Sequence, residues 1–366
     1  MRIVIAPDKF AGTLTAVEAA EAIADGWRSV DPDTHCTLVP LSDGGPGFVD
    51  VLHTALGGTL VATEATGPLG TPVQARFLLV GQTAYVESAQ ACGLHLLPAK
   101  DRNPETTTTY GVGELIGAAI DRGATTVVVG LGGSGTNDGG AGMLAALGAT
   151  PAEPLRSGGG ALTGLDRVDL AAARARVAGI RLIAATDVDN PLLGAHGASA
   201  VFGPQKGADA AQVQRLDAAL AHFADLTDPE TTLRATPGAG AAGGLGYGLL
   251  LLGGTVESGV RRVLGAVGLD TLVASADAVI TGEGSFDSQS LRGKLPHGVA
   301  QTASRHGVPC VVLAGRVAVA EEEAAAAGVT AAHSLVESAG SVQAALEHSA
   351  RELRRLAARV AADWPR

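Results

Sequence analysis

The chain has 366 residues, 46% hydrophobic but only 3% aromatic, with 26 Lys and Arg against 37 Asp and Glu for a formal net charge of −11. That length suits two domains with large aliphatic cores, and the acidic balance without basic clusters excludes nucleic acid as a partner. Cys36, Cys92 and Cys310 are far apart and form no CxxC pair, which excludes a disulfide framework or zinc site and suits a reducing cytoplasm. The apolar runs at 2–6 and 249–252 are too short for a secretion leader or a membrane span, so a soluble cytoplasmic protein is expected.

Residues 2–6 read as a buried strand and 7–12 as the loop after it. Thr15-x-x-Glu18 is a capping box, and Val17, Ala20, Ile23, Ala24 and Trp27 share one helical face. A second strand, 36–41, leads through Ser42-Asp-Gly-Gly45 into a helix carrying Phe48, Val51, Leu52 and Leu56. Both loops fall at strand carboxyl ends, where open α/β sheets bind ligands. Asp8, Lys9, Ser42 and Asp43 are site candidates for that reason. After Gly58 the rhythm changes: 59–65, 73–80 and 83–88 are strand-like runs separated by glycine turns, an antiparallel meander that opens a second domain. A helix is expected over 106–122.

The run Gly130-Leu-Gly-Gly-Ser-Gly-Thr-Asn-Asp-Gly-Gly-Ala-Gly142 follows a strand at 125–129 and opens a small-residue helix at 141–147. Glycines let backbone N–H groups approach a ligand, and a helix N-terminus favours an anion. Gly133, Ser134, Gly135, Thr136, Asn137 and Asp138 are candidates here, against the alternative of a packing turn. Residues 130–135 match GxGxxG, but no strand-ending acid follows about 20 residues on, and no Walker P-loop occurs in the chain.

A strand at 181–185 runs into Thr186-Asp-Val-Asp-Asn-Pro191. Leu192 and Ala198 occupy the positions where a calcium loop needs Gly and Glu, so this is no EF-hand. Asp187 and Asp189 suit Mg²⁺, which takes one or two carboxylates beside substrate phosphates; an Asx turn capping a helix is the structural alternative. Lys206 sits between turn glycines before an amphipathic helix at 211–226, and 237–246 is a second Gly-rich loop. Residues 272–276 and 278–280 return the chain to parallel α/β alternation. Glu283, Asp287, Arg292 and Lys294 then share one strand-to-helix passage, followed by a helix at 297–306, a strand at 310–313, Gly315 and Arg316.

These motifs carry a resemblance. Asp8-Lys9 with Thr13, Ser42-Asp-Gly-Gly, Gly132-Gly-Ser-Gly-Thr-Asn-Asp-Gly-Gly140, Asn190-Pro-Leu-Leu-Gly, Phe202-Gly-Pro-Gln-Lys-Gly-Ala, Pro237-Gly-Ala-Gly-Ala-Ala-Gly-Gly and Thr281-Gly-Glu-Gly occur in the order of the bacterial glycerate kinase family, which the chain resembles over nearly its whole length. The resemblance implies ATP-dependent phosphorylation of D-glycerate with Mg²⁺. It also implies an α/β fold: a flavodoxin-like parallel-sheet domain (1–60 and 265–366) interrupted by an inserted α/β domain (61–264) that holds the meander and the Gly-rich loops, with a cleft between them. The chain departs from the family at Pro46, Gly47 and Phe48, where Glu and Thr are usual, and at Ser285, where Arg is usual.

Phosphoryl transfer needs positioning, charge neutralisation and in-line attack by a hydroxyl. The catalytic candidates are accordingly Lys9, Asp43, Asp138, Asp187 and Asp189. Lys9, Lys206 or Lys294 with Gly-rich amides would hold phosphates, and Asp187 and Asp189 would hold Mg²⁺. Asp43 or Asp138 would orient or deprotonate the hydroxyl. Arg292 and Arg316 are candidates for the substrate carboxylate, with Asp8, Ser42, Glu283 and Asp287 lining the site. Other readings remain: a kinase of another small hydroxy acid, an NAD-dependent oxidoreductase built on 130–135, and a non-enzymatic sensor of an acidic metabolite.

Overall fold

The computed structural model describes residues 1–10, 12–291 and 293–365. Strands β1 (Arg2–Ile5) and β2 (His35–Leu38) open the chain. β3 (Thr59–Thr66), β4 (Pro72–Val80), β5 (Thr83–Glu87), β6 (Thr126–Gly130), β7 (Arg181–Ala185) and β8 (Thr255–Glu257) follow, and β9 (Ala278–Phe286), β10 (Cys310–Val317) and β11 (Ala331–Ser334) close it. The chain divides into two compact units. One comprises Met1–Asp43, Asp50–Leu56 and Val260–Arg366; the other comprises Gly44–Val49 and Gly57–Gly259.

The first unit is built on an all-parallel sheet in the order β11-β10-β9-β1-β2. Counted along this unit alone, the strands run 2-1-3-4-5, the flavodoxin-like order, whose switch point lies where the winding reverses. Here that is between β1 and β9. Ile3, Ile5, Ile280, Val311 and Leu313 pack beneath Ile23, Trp27, Leu353 and Leu356 in one aliphatic core. Helix Ala16–Arg28 begins at the expected capping box: the Thr15 hydroxyl accepts the Glu18 amide, and the Glu18 carboxylate accepts the Thr15 amide at 2.8 Å. Gly26 on this helix abuts the Arg354 carbonyl of helix Ser349–Ala362, so these helices meet backbone to backbone where any Cβ would intrude. That close approach does the work larger rings do elsewhere.

The second unit carries a mixed sheet, β3-β4-β5-β6-β7-β8. β3, β4 and β5 form the antiparallel meander, and β5 to β8 run parallel. Val127, Val129, Leu115, Ile116, Phe77 and Leu144 belong to its core. No helix among the described residues is long and apolar enough to cross a membrane.

Several boundaries differ from expectation, each for a local reason. The helix expected from 106 starts at Tyr110. The threonines before it are tied sideways instead, Thr107 donating to the Gly135 carbonyl and Thr109 to Asp138. Residues 272–276 lie mostly in helix Leu269–Ala274, not in a strand. The passage after Thr281 remains strand through Phe286, and Gly315 and Arg316 remain in β10, because the two strands stay paired as far as Val317. The second Gly-rich loop runs into helix Ala241–Leu251, which three left-handed residues, Ala242, Gly243 and Gly244, kink near its start. Gly243 (φ 69°) is required there: its missing Cβ would strike the Thr136 carbonyl oxygen.

Candidate active site

Backbone pairing continues past the ends of β1 and aims three strand termini at one place. On one side the amides of Ala6 and Asp8 donate to the carbonyls of Ile280 and Gly282. On the other the amides of Val39 and Leu41 donate to Ile5 and Pro7. The Thr281 hydroxyl adds a bond to the Ala6 carbonyl at 2.7 Å. Asp8 therefore emerges flanked by Glu283 from β9 and by Ser42 and Asp43 beyond β2, at the carboxyl end of the sheet's switch point.

The charges there are crowded. Lys9 Nζ lies 3.4 Å from Asp43 Oδ1 and 3.9 Å from Asp8 Oδ1, and the Lys9 amide donates to Asp8 Oδ1 at 2.7 Å. Asp8 is only 9% exposed. Burial first, then the negative charge of Asp43, pushes its carboxyl up to about 7, against the pull of Lys9. Glu283, 8% exposed, is likewise pushed up to about 7, chiefly by burial, although the Ser290 hydroxyl and Lys294 draw it down. A carboxyl poised near neutrality beside a lysine, as Asp8 is beside Lys9, can exchange a proton with a hydroxyl at physiological pH.

The remaining candidates of this unit divide. Arg316 is exposed on β10 and pairs in register with Ser285 on β9, so a guanidinium stands beside the position whose family arginine is missing. Lys294 is the residue before helix Leu295–Arg305 and half-buried. Asp287 is turned to its own loop, its carboxylate accepting the Gln289 amide at 2.9 Å. Arg292 lies outside the described residues.

In the second unit the Gly-rich segment after β6 is mostly spent on the protein itself. The amides of Leu131, Gly132, Gly135 and Gly139 donate to the carbonyls of Ala185, Gly44, Cys92 and Gly243. That leaves no amide cradle at Gly132 or Gly135 for a pyrophosphate, which removes the dinucleotide fingerprint reading. Gly133 is exposed, whereas Ser134, Gly135, Thr136 and Asn137 are buried, and the Asn137 amide nitrogen donates to Ser199 Oγ at 2.9 Å.

Two candidates of this segment are turned inward. Asp138 is 0% exposed and accepts from the Thr109 amide, the Thr109 hydroxyl and the amides of Gly140 and Gly142. Both its oxygens are occupied by donors of the protein, the Gly142 amide in the first turn of helix Ala141–Ala146 among them. Burial raises its pKa against those donors. Lys206, 1% exposed, donates from Nζ to the Thr136 carbonyl at 2.7 Å, and burial lowers it to about 8. Its ammonium is turned onto the Gly-rich segment.

At the carboxyl end of β7, Asp187 is half-buried and its Oδ1 accepts the Ser258 hydroxyl at 2.5 Å; Asp189 is exposed. Among the described residues no three His, Cys, Asp or Glu side chains gather into a metal cage.

The model of the glycerate kinase family matches residues 3–365. The chain belongs to the glycerate kinase family. It is 46% identical to a glycerate kinase of Bacillus subtilis (strain 168), covering 99% of this chain and 97% of the relative. It is 43% identical to the glycerate 2-kinase of Escherichia coli (strain K12), covering 86% and 85%. A solved structure from Salmonella typhimurium LT2, provisionally named glycerate kinase 2, superposes with a TM-score of 0.79 at 40% identity, over 99% of this chain and 97% of that one. Membership in a kinase family brings ATP with it as phosphoryl donor.

Within this glycerate kinase family member the departures have structural accounts. Phe48 is fully buried, its ring edge-on to Tyr85 at 6.2 Å, and the ring of Pro46 closes against Gly133. Glu87, which sequence reasoning passed over, is buried at the end of β5 and accepts the amides of Gly47 and Val49. An acid ending an otherwise apolar strand was the signal available for it. Ser258 and Ser290 were missed too, and a lone serine in a loop carries no comparable signal.

Proposed function

We propose that the chain transfers the γ-phosphoryl group of ATP to a hydroxyl of D-glycerate, forming 2-phosphoglycerate. The observation that carries this is the Asp8–Lys9–Asp43 cluster at the switch point of the flavodoxin-like sheet. A buried aspartate held near 7 there has the proton affinity a general base needs. In this reading Asp8 takes the proton of the attacking hydroxyl while Lys9, tethered by Asp43, offsets the charge that builds up. Arg316 holds the substrate carboxylate. The choice of the 2-hydroxyl leans on the name of the Escherichia coli relative.

Mg²⁺ is the ion such a reaction implies. Its site asks for one or two carboxylates, the rest of the shell being phosphate and water oxygens. The Asp187–Asp189 turn fits that modest demand: hard oxygen donors, one half-buried and oriented by Ser258, one exposed. These two would hold Mg²⁺, which when bound neutralises phosphate charge. The three buried free cysteines suit a reducing compartment, and we place the enzyme in the cytoplasm.

The test is ADP release measured across small hydroxy acids, with NMR of the phosphorylated product. Glycerate-dependent ADP formation yielding 2-phosphoglycerate is expected. ADP release independent of any acceptor, or a different preferred acid, would overturn the assignment.

A further inference from the structure

One buried carboxyl oxygen lies near the switch point. Glu283 Oε1 is shielded from solvent and finds no hydrogen-bond partner among the described residues. Leaving a buried acceptor unsatisfied is destabilising, so such an atom calls for an occupant that supplies a donor. The position is well defined. Glu283 follows Gly282, whose carbonyl accepts the Asp8 amide, and its carboxyl interacts electrostatically with both Asp8 and Asp43. Side chains two apart on a strand share a face. Glu283 therefore lies on the same face of β9 as Ser285, the residue in register with Arg316.

The neighbours decide what kind of donor fits. A second cation is unnecessary beside Lys9 and Lys294, and no carboxylate cage for a metal exists among the described residues. A neutral hydroxyl donates one hydrogen and adds no charge to an acid-crowded pocket. An acceptor with a carboxylate at one end and two hydroxyls would place one hydroxyl at Asp8 and its carboxylate at Arg316. The second hydroxyl is left for Glu283.

We propose that Glu283 selects dihydroxy acids over their monohydroxy analogues, its buried Oε1 accepting the hydrogen of the hydroxyl that is not phosphorylated. The proposal rests on the glycerate reading above and adds the residue responsible for its selectivity. A site built to bind a hydroxyl rejects an analogue lacking it because its own polar atom is stranded again.

The experiment compares kcat/KM for D-glycerate with D-lactate, which lacks the 3-hydroxyl, and with 3-hydroxypropionate, which lacks the 2-hydroxyl. The wild type is expected to prefer glycerate over its phosphorylatable analogue by about 10²–10³. Glu283→Ala should collapse that ratio to within tenfold, through loss on glycerate and little change on the analogue. Glu283→Gln keeps the shape and one carbonyl acceptor, and should retain part of the preference, reduced about tenfold because a neutral acceptor is weaker. Should the alanine variant fold poorly, the glutamine variant decides. A wild-type ratio in either variant, or equal losses on glycerate and analogue, would overturn the role of Glu283. A wild type that turns over no glycerate at all would instead overturn the underlying functional reading.

Discussion

Replacing Asp8 by asparagine should separate what this residue does for catalysis from what it costs the fold. Burial and Asp43 move its carboxyl from 3.8 to about 7, which corresponds to roughly 4 kcal/mol against the ionised form. The folded state thus holds a proton that the unfolded chain releases between about pH 4 and pH 7. Stability of the wild type falls as pH rises through that window and is level above it. The neutral amide introduced by Asp8→Asn carries no such penalty. It gives up a charged acceptor for the Lys9 amide, worth about 1–2 kcal/mol. The net expectation is a variant more stable than the parent by about 2 kcal/mol at pH 8, with that advantage gone near pH 4. Catalysis should fall by about 10²–10⁴, the usual contribution of a general base. Urea unfolding at both pH values and steady-state kinetics read the two effects. The reasoning is refuted by a stability difference that does not change with pH, or by kcat within threefold of the parent.

Other substitutions test the inward-facing residues. Asp138→Ala strands four buried donors around Thr109, Gly140 and Gly142 and should cost about 3–5 kcal/mol in denaturant unfolding, with Asp138→Asn costing less. Gly243→Ala forces a side chain onto a left-handed backbone against the Thr136 carbonyl, and should lose about 2–4 kcal/mol or fail to accumulate in soluble form. Lys206 binds its proton less tightly in the folded state, about 8 against 10.5. Wild-type stability should therefore gain up to roughly 3 kcal/mol between pH 8 and pH 10.5, and Lys206→Met should abolish that gain in parallel urea titrations.

The sequence was most informative where one pattern has one physical solution. Thr15 and Glu18 could satisfy helix amides in a single way, and the alternation of β3, β4 and β5 left a meander as the only economical pairing. The loops at the carboxyl ends of β1 and β2 were legible for the same reason, since strand polarity fixes where carboxyl ends lie. Direction of side chains was not legible. Asp138 and Lys206 sit in motifs rich in glycine, and the same composition serves an anion cradle or a backbone-to-backbone packing joint. Only the Thr109 and Thr136 contacts distinguish the two. Glu283 looked like a loop residue because Gly282 and Gly284 flank it. Yet those glycines mark places where β9 and β10 come too close for side chains, Gly282 lying against the Leu313 carbonyl. Nothing in the spacing of Glu87 tied it to Gly47 and Val49, 40 and 38 positions away.

The partnership of β1 with β9 joins residues 275 positions apart, as in the bond from Thr281 to Ala6. At ordinary synthesis rates, roughly 14–55 s separate the appearance of these two strands on the ribosome. All of the intervening unit, complete by Gly259, can fold during that interval. Ile3, Val4 and Ile5 meanwhile remain without one of their two neighbours until Ala278, Val279 and Ile280 have been made. An early strand of this sheet therefore waits through the synthesis of a whole folding unit before its second edge is covered.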